Sequence, residues 1–168
     1  MKRVPALPVE AHSKVAHHVT TFSMDKHHEH FSAEPAMPLQ MIEVTLDHTV
    51  MVTGIIDSSF QVIIIIHKDI WESLGMLMKH EQVMFMESAN GQSNMTMGMI
   101  PSICFSIGEV SLHCQVQVIK EAPFECLLGL PFMCLALTKF QEFPDGSTHL
   151  LLTDPNTGVS ITVLTHAK

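Results

Sequence analysis

Beyond residue 39, apolar and polar residues alternate with a period of two, and short turn-forming clusters break the alternation at intervals. This confines the folded part to antiparallel β-structure, because successive side chains of a strand point to opposite faces and only alternation gives one buried and one wet face. Val44 and Leu46, then Val50 and Val52, flank the polar Asp47, His48 and Thr49, which predicts a hairpin. Met95, Met97 and Met99 alternate with Thr96 and Gly98, and Leu112, Cys114, Val116 and Val118 alternate with His113, Gln115 and Gln117. Each run is expected to be a strand with one face buried. Turn chemistry lies between the runs at Asn90-Gly91, Gly108-Glu109, Pro144-Asp145-Gly146 and Pro155-Asn156-Thr157-Gly158. The spacing is that of an antiparallel barrel or sandwich.

Only two short segments carry helical signals. One runs from about Lys68 to Leu74, with Ile70, Trp71 and Leu74 on one face and Gly75 as its stop. The other starts at Pro131, a good first-turn residue, and carries Phe132, Met133, Leu135 and Ala136. Residues 1–38 show neither periodicity and are punctuated by Pro5, Pro8, Pro35 and Pro38. They are expected to be a disordered arm rich in His and Pro, leaving one folded domain over 39–168.

Composition narrows the function classes. Apolar residues make up 46% and charged residues 15%, enough to form a core. The net charge is -8 and no basic stripe exists, so nucleic acid is not an expected partner. The apolar run Val62 to Ile66 is far short of the roughly 20 residues that cross a bilayer, as is every other apolar run in the chain, so it is expected to be a buried strand and no membrane partner is expected. Pro5, Pro8, Glu10 and His12 stand where a signal peptide needs an apolar stretch, which predicts an intracellular, cytoplasmic protein. Cys104, Cys114, Cys126 and Cys134 lack Cys-x-x-Cys spacing and lie in apolar contexts, so four reduced core thiols are expected.

His12, His17, His18, His27, His28 and His30 cluster in the arm, and a Pro-broken segment offers them no fixed geometry. Adventitious metal binding is the reading there; no specific metal site and no cofactor are expected, and a dedicated metal-binding protein is the weakest of the competing functions. The thirteen methionines are expected to be plastic core packing, the alternative being a soft peptide-binding face from Met84, Met86, Met95, Met97 and Met99.

The chemistry sits in Gly54-Ile55-Ile56-Asp57-Ser58-Ser59-Phe60-Gln61-Val62-Ile63, where an apolar strand delivers an Asp followed by two small hydroxyl residues. An Asp at the end of a buried strand is costly unless something satisfies it. After it come the first helix, a strand pair joined by Glu87-Ser88-Ala89-Asn90-Gly91, two more strands, and Cys126-Leu127-Leu128-Gly129-Leu130-Pro131-Phe132 leading into the second helix.

This order resembles the retropepsin domain of gypsy-type long-terminal-repeat retroelements, particularly the fungal kind. Those domains carry Asp-Ser-Gly-Ser-Gln, a helix close to Leu-Trp-Glu-Leu-Gly, a Met-Glu-Ser-Ala-Asn-Gly hairpin, and Leu-Leu-Gly-Arg-Pro-Phe. The matching residues are Asp57, Ser58 and Gln61; Trp71, Glu72, Leu74 and Gly75; Met86 to Gly91; and Leu127 to Gly129 with Pro131 and Phe132.

The resemblance implies a mainly β, retropepsin-like closed barrel with two short helices, working as a homodimer on a polypeptide substrate. By it, Asp57 is the catalytic carboxylate of each subunit and Ser58 bonds across the dimer. Ser59, Phe60, Ser88, Ala89, Asn90 and Gly91 line the substrate, the last four as a flap, and Leu127, Leu128 and Gly129 support the Asp loop. The implied activity is that of an aspartic endopeptidase whose two Asp57 carboxyls share a proton.

Three residues depart from the family pattern. Ser59 stands where Gly is expected, Phe60 where a small residue borders the substrate, and Leu130 where Arg is usual. Overpacking commonly costs about 1 to 3 kcal/mol, and small misplacement of reacting groups about a hundredfold in rate. Weakened catalysis is therefore expected, and the competing reading is a catalytically inactive module of the same fold that dimerises or binds peptide.

Overall fold

In the computed structural model, the described residues are 18–19, 31–32, 38–87, 93–143 and 147–167. Within the first 38 residues, β1 (His18–Val19) and β2 (Phe31–Ser32) pair antiparallel. The alternating region opens with β3 (Gln40–Leu46) and β4 (Val50–Ile56), an antiparallel hairpin from Met41↔Ile55 to Leu46↔Val50. Asp47 and His48 both take positive φ, 46° and 59°, and the Thr49 N–H donates to the Leu46 carbonyl at 3.0 Å. That left-handed pair supplies the twist a tight hairpin turn needs.

The hairpin belongs to a closed barrel. β4 runs parallel to β10 (Cys126–Leu128), which is antiparallel to β5 (Ile64–His67). β5 is parallel to β9 (Val110–Ile119), and β9 is antiparallel to β8 (Gly98–Ile107). β8 returns to β3 through Thr45↔Ser106 and Leu46↔Phe105, so six strands close on themselves. Closure removes the open edges that a sheet would otherwise present. Ile42, Val44, Leu46, Ile64, Ile66, Ile100, Phe105 and Val116, each at most 1% exposed, fill the interior. The apolar run expected to be buried supplies β5 at its core.

Both helices form. α1 (Lys68–Leu74) ends at Gly75, whose φ of 64° lets its N–H reach back to the Trp71 carbonyl at 3.1 Å. Ile70, Trp71 and Leu74 pack half-buried on the barrel. α2 (Leu130–Leu135) begins one residue before the expected Pro131, with Gly129 as its cap.

The expected strand through Met95, Met97 and Met99 is interrupted. β6 (Phe85–Glu87) pairs with β7 (Ser93–Met95) as the base of a hairpin, and β8 starts afresh at Gly98. Thr96, Gly98 and Ile100 are the buried residues, whereas Met95 is exposed and Met97 and Met99 are half-buried. The polar residue takes the inside because the Thr96 hydroxyl, itself a donor to Gln117 Oε1 at 2.7 Å, accepts the Met84 N–H at 2.8 Å. Met84 and Met95 lie outside the core.

After α2 come β11 (Lys139–Glu142), β12 (Thr148–Thr153) and β13 (Ser160–Leu164), an antiparallel sheet in that order. The Pro155–Gly158 turn joins the last two; residues 144–146 lie outside the described ones. β14 (His166–Ala167) then pairs with β3 through His166↔Met41 and Ala167↔Gln40. Among the four cysteines, all free, Cys104, Cys114 and Cys126 are buried but Cys134 is exposed, correcting its expected place in the core. Its position in α2 faces outward while Phe132 and Met133 face in.

Candidate active site

Asp57 follows the last residue of β4, on a strand whose Gly54, Ile55 and Ile56 lie opposite Cys126, Leu127 and Leu128 of β10. The parallel ladder continues one step further, since the Asp57 N–H donates to the Leu128 carbonyl at 3.0 Å. The chain then turns back, with the Phe60 N–H on the Asp57 carbonyl at 3.1 Å. The far side of the loop is held by the Gly129 N–H on the Ile63 carbonyl at 3.0 Å and the Leu130 N–H on the Phe60 carbonyl at 2.8 Å.

That crossing is possible only because residue 129 has no side chain. A Cβ there would lie 1.9 Å from the Val62 carbonyl oxygen and 2.8 Å from that of Phe60. Leu127 and Leu128 are buried under the loop. The structure thus brings together Asp57, Ser58, Ser59, Phe60, Leu127, Leu128 and Gly129, while Ser88, Ala89, Asn90 and Gly91 lie outside the described residues.

Asp57 is half-buried and Ser58 and Ser59 are exposed. Ser59 donates to the carboxylate twice, from its N–H at 2.9 Å and its hydroxyl at 2.5 Å, both to Oδ1. Phe60 rests half-buried against a second apolar cluster of Ile55, Ile65, Ile119 and Leu127, together with Val62, Met86 and Phe124. This cluster forms an apolar wall beside the carboxylate loop, and Ala122 and Phe124 extend it to an open cleft of about 350 Å³ that also touches His67, Asp69 and Glu125.

Thiol chemistry is poorly placed to compete. Burial, with a smaller contribution from Cys104, pushes the Cys114 thiol up to about 12. Burial likewise raises Cys126, beneath the loop, so neither offers a thiolate at neutral pH. Among the described residues no group of three His, Cys, Asp or Glu could hold a metal ion.

Two contacts at the site were not anticipated from sequence. Glu125 Oε2 accepts the Thr53 N–H at 2.8 Å, tying the segment before β10 to β4. Nothing local announces it, because 72 residues separate the partners. The Ser59 hydroxyl bond did have a signal, since a Ser two residues after an Asp commonly bonds locally.

No protein-family model matches the chain, and no curated protein matches it. Solved structures do match by shape. One is the crystal structure of the retroviral protease-like domain of Ddi1 from Leishmania major, with a TM-score of 0.57 and 14% sequence identity, covering 77% of this chain and 95% of that one. The six-stranded barrel with two short helices is accordingly a retropepsin-like fold. No helix among the described residues is long and apolar enough to cross a membrane.

Proposed function

We propose that this chain is an aspartic endopeptidase of retroelement origin, of the gypsy type, that works as a homodimer in which each copy supplies Asp57. The observation that carries this reading is the Asp57 loop itself: a half-buried carboxylate at a strand end, on a loop whose backbone is hydrogen-bonded to β10 and the start of α2. The described residues offer a single such loop, so the shared-proton chemistry needs two copies. The sequence resemblance and the retropepsin-like fold support the same assignment.

In this reading the ionised Asp57 takes a proton from a water molecule whose oxygen attacks the peptide carbonyl carbon. The protonated Asp57 of the second copy gives its proton to the carbonyl oxygen, forming a gem-diol. Collapse of the gem-diol breaks the C–N bond, returning one proton to a carboxylate and delivering the other to the leaving amine nitrogen. The apolar wall of Phe60, Val62, Met86 and Phe124 suits an extended polypeptide with apolar side chains, and the hairpin β6–β7 stands as the base of a flap over it. Residues 88–91 would form its tip.

The test is hydrolysis of casein from pH 4 to 7 by the parent chain, an Asp57→Asn variant and a Phe60→Ser variant. We expect weak cleavage by the parent, none with Asn at 57 and faster cleavage with Ser at 60. Cleavage only after Phe60→Ser would favour the alternative, a naturally silent module that dimerises or binds peptide. Cleavage by none of the three would end the enzymatic reading.

A further inference from the structure

Ser59 occupies the position where the resembling domains have glycine, and its exposed side chain turns back onto its own loop. Its Oγ lies 2.5 Å from Asp57 Oδ1 of the same chain, so the extra atoms fold back over their own carboxylate. The backbone N–H of the same residue reaches that oxygen at 2.9 Å. Among the described residues, Oδ2 receives no donor.

Glycine would supply the N–H and not the hydroxyl. The terminal torsion of an Asp side chain is soft and roughly two-fold, so one donor alone leaves the carboxylate free to rock and to exchange its oxygens. Two donors from one residue, one of them a short charge-assisted O–H bond, select an oxygen and fix the carboxylate plane. Ser59 is itself anchored, because Asp57, two residues before it, and Phe60, directly after it, are hydrogen-bonded to Leu128 and Leu130.

We propose that Ser59 is a positioning residue for Asp57, holding Oδ1 so that Oδ2 is the oxygen presented to water and to the Asp57 of a second copy. This assignment rests on the protease reading above and reverses the expectation that a side chain at position 59 only obstructs. Phe60, not Ser59, is then the residue that restrains activity.

The experiment compares the purified full-length parent with Ser59→Ala, Ser59→Thr and Asp57→Asn, using a fluorogenic peptide cleaved by the parent. With carboxyl-labelled Asp, the ¹³Cγ resonance lost in Asp57→Asn identifies Asp57. Ser59→Ala is expected to lower kcat by about tenfold or more while KM stays within about twofold, the signature of a lost transition-state contribution. Ser59→Thr, which keeps the hydroxyl, should recover most of kcat, and the Asp57 resonance should move in the Ala variant and stay in the Thr variant. A kcat for Ser59→Ala equal to or above that of the parent overturns the proposal. If the parent cuts nothing, the protease reading falls by itself and the resonance decides: movement in Ala alone keeps Ser59 as the positioning group, and no movement removes it.

Discussion

Asp57 and Asp154 are built from nearly the same local parts and end in opposite situations. Each accepts the N–H of the residue two positions on, Ser59 at 2.9 Å and Asn156 at 2.8 Å, and each takes a nearby hydroxyl. At Asp154 the Thr157 hydroxyl goes to Oδ2 at 2.8 Å, so the two oxygens share the donors, and the residue is 6% exposed at the head of the β12–β13 turn. At Asp57 both donors fall on Oδ1, and the group remains half-open. The difference teaches how one turn chemistry yields either a structural rivet or a carboxylate with an oxygen left to react. Saturation of both oxygens serves stability, and one-sided saturation serves orientation.

Asp57→Asn is the widest test of the contrast. Cleavage should fall by about a thousandfold, within the range of lost acid–base catalysis, while the urea midpoint stays where it was. A large drop in that midpoint would make Asp57 a second rivet. Gly129→Ala attacks the support beneath the loop, because its Cβ would fall 1.9 Å from the Val62 oxygen. A loss of about 3 kcal/mol, at the upper end for overpacking, is expected by chemical denaturation.

Asp154→Asn probes the other side. The Asn156 N–H first, then the Thr157 hydroxyl, hold the Asp154 carboxyl below the usual carboxylate range. A value lowered in the folded state stabilises fully above the unfolded-state value and is lost as pH falls through the folded one. The parent should therefore be more stable than Asp154→Asn at pH 6 and lose that lead below about pH 4, as read from urea midpoints across pH. A lead that persists unchanged into strong acid would mean charge is irrelevant there.

The smallest effect tests the rule behind the comparison, that buried polar atoms need partners. Thr138 Oγ1 is buried beside Phe132 and Leu152 and, among the described residues, has no hydrogen-bond partner. Thr138→Val keeps the shape and removes the unmet hydroxyl, so stability should rise by about 1 kcal/mol in the same titration.

Much of this was legible where one residue decides a local question. Gly75 stops α1, the Asp47-His48 turn folds β3 onto β4, and the alternation of β9 reads correctly from Leu112 to Val116. The reading fails where a distant partner changes the value of a side chain. Thr96 and Gln117, polar by pattern, go inside because each satisfies the other, and adjacent methionines are displaced outward. The Asp57 motif was visible as a motif; Gly129, 72 residues further on, shows its necessity only when the chain crosses Val62. The direction of the Ser59 hydroxyl likewise depends on a loop shape that β10 and α2 impose.

As a mechanical object, the folded unit is fastened like a zip at one end. β14 joins β3 through Ala167↔Gln40 and His166↔Met41, so the antiparallel entry and exit strands meet side by side at the same end. Tension applied between those two points loads that short ladder one rung at a time, a peeling geometry, whereas the barrel strands behind it are bound on both sides. A pulling machine that grips the tail therefore meets that short ladder first, and next the pairing of Met41 with Ile55, two residues before the carboxylate.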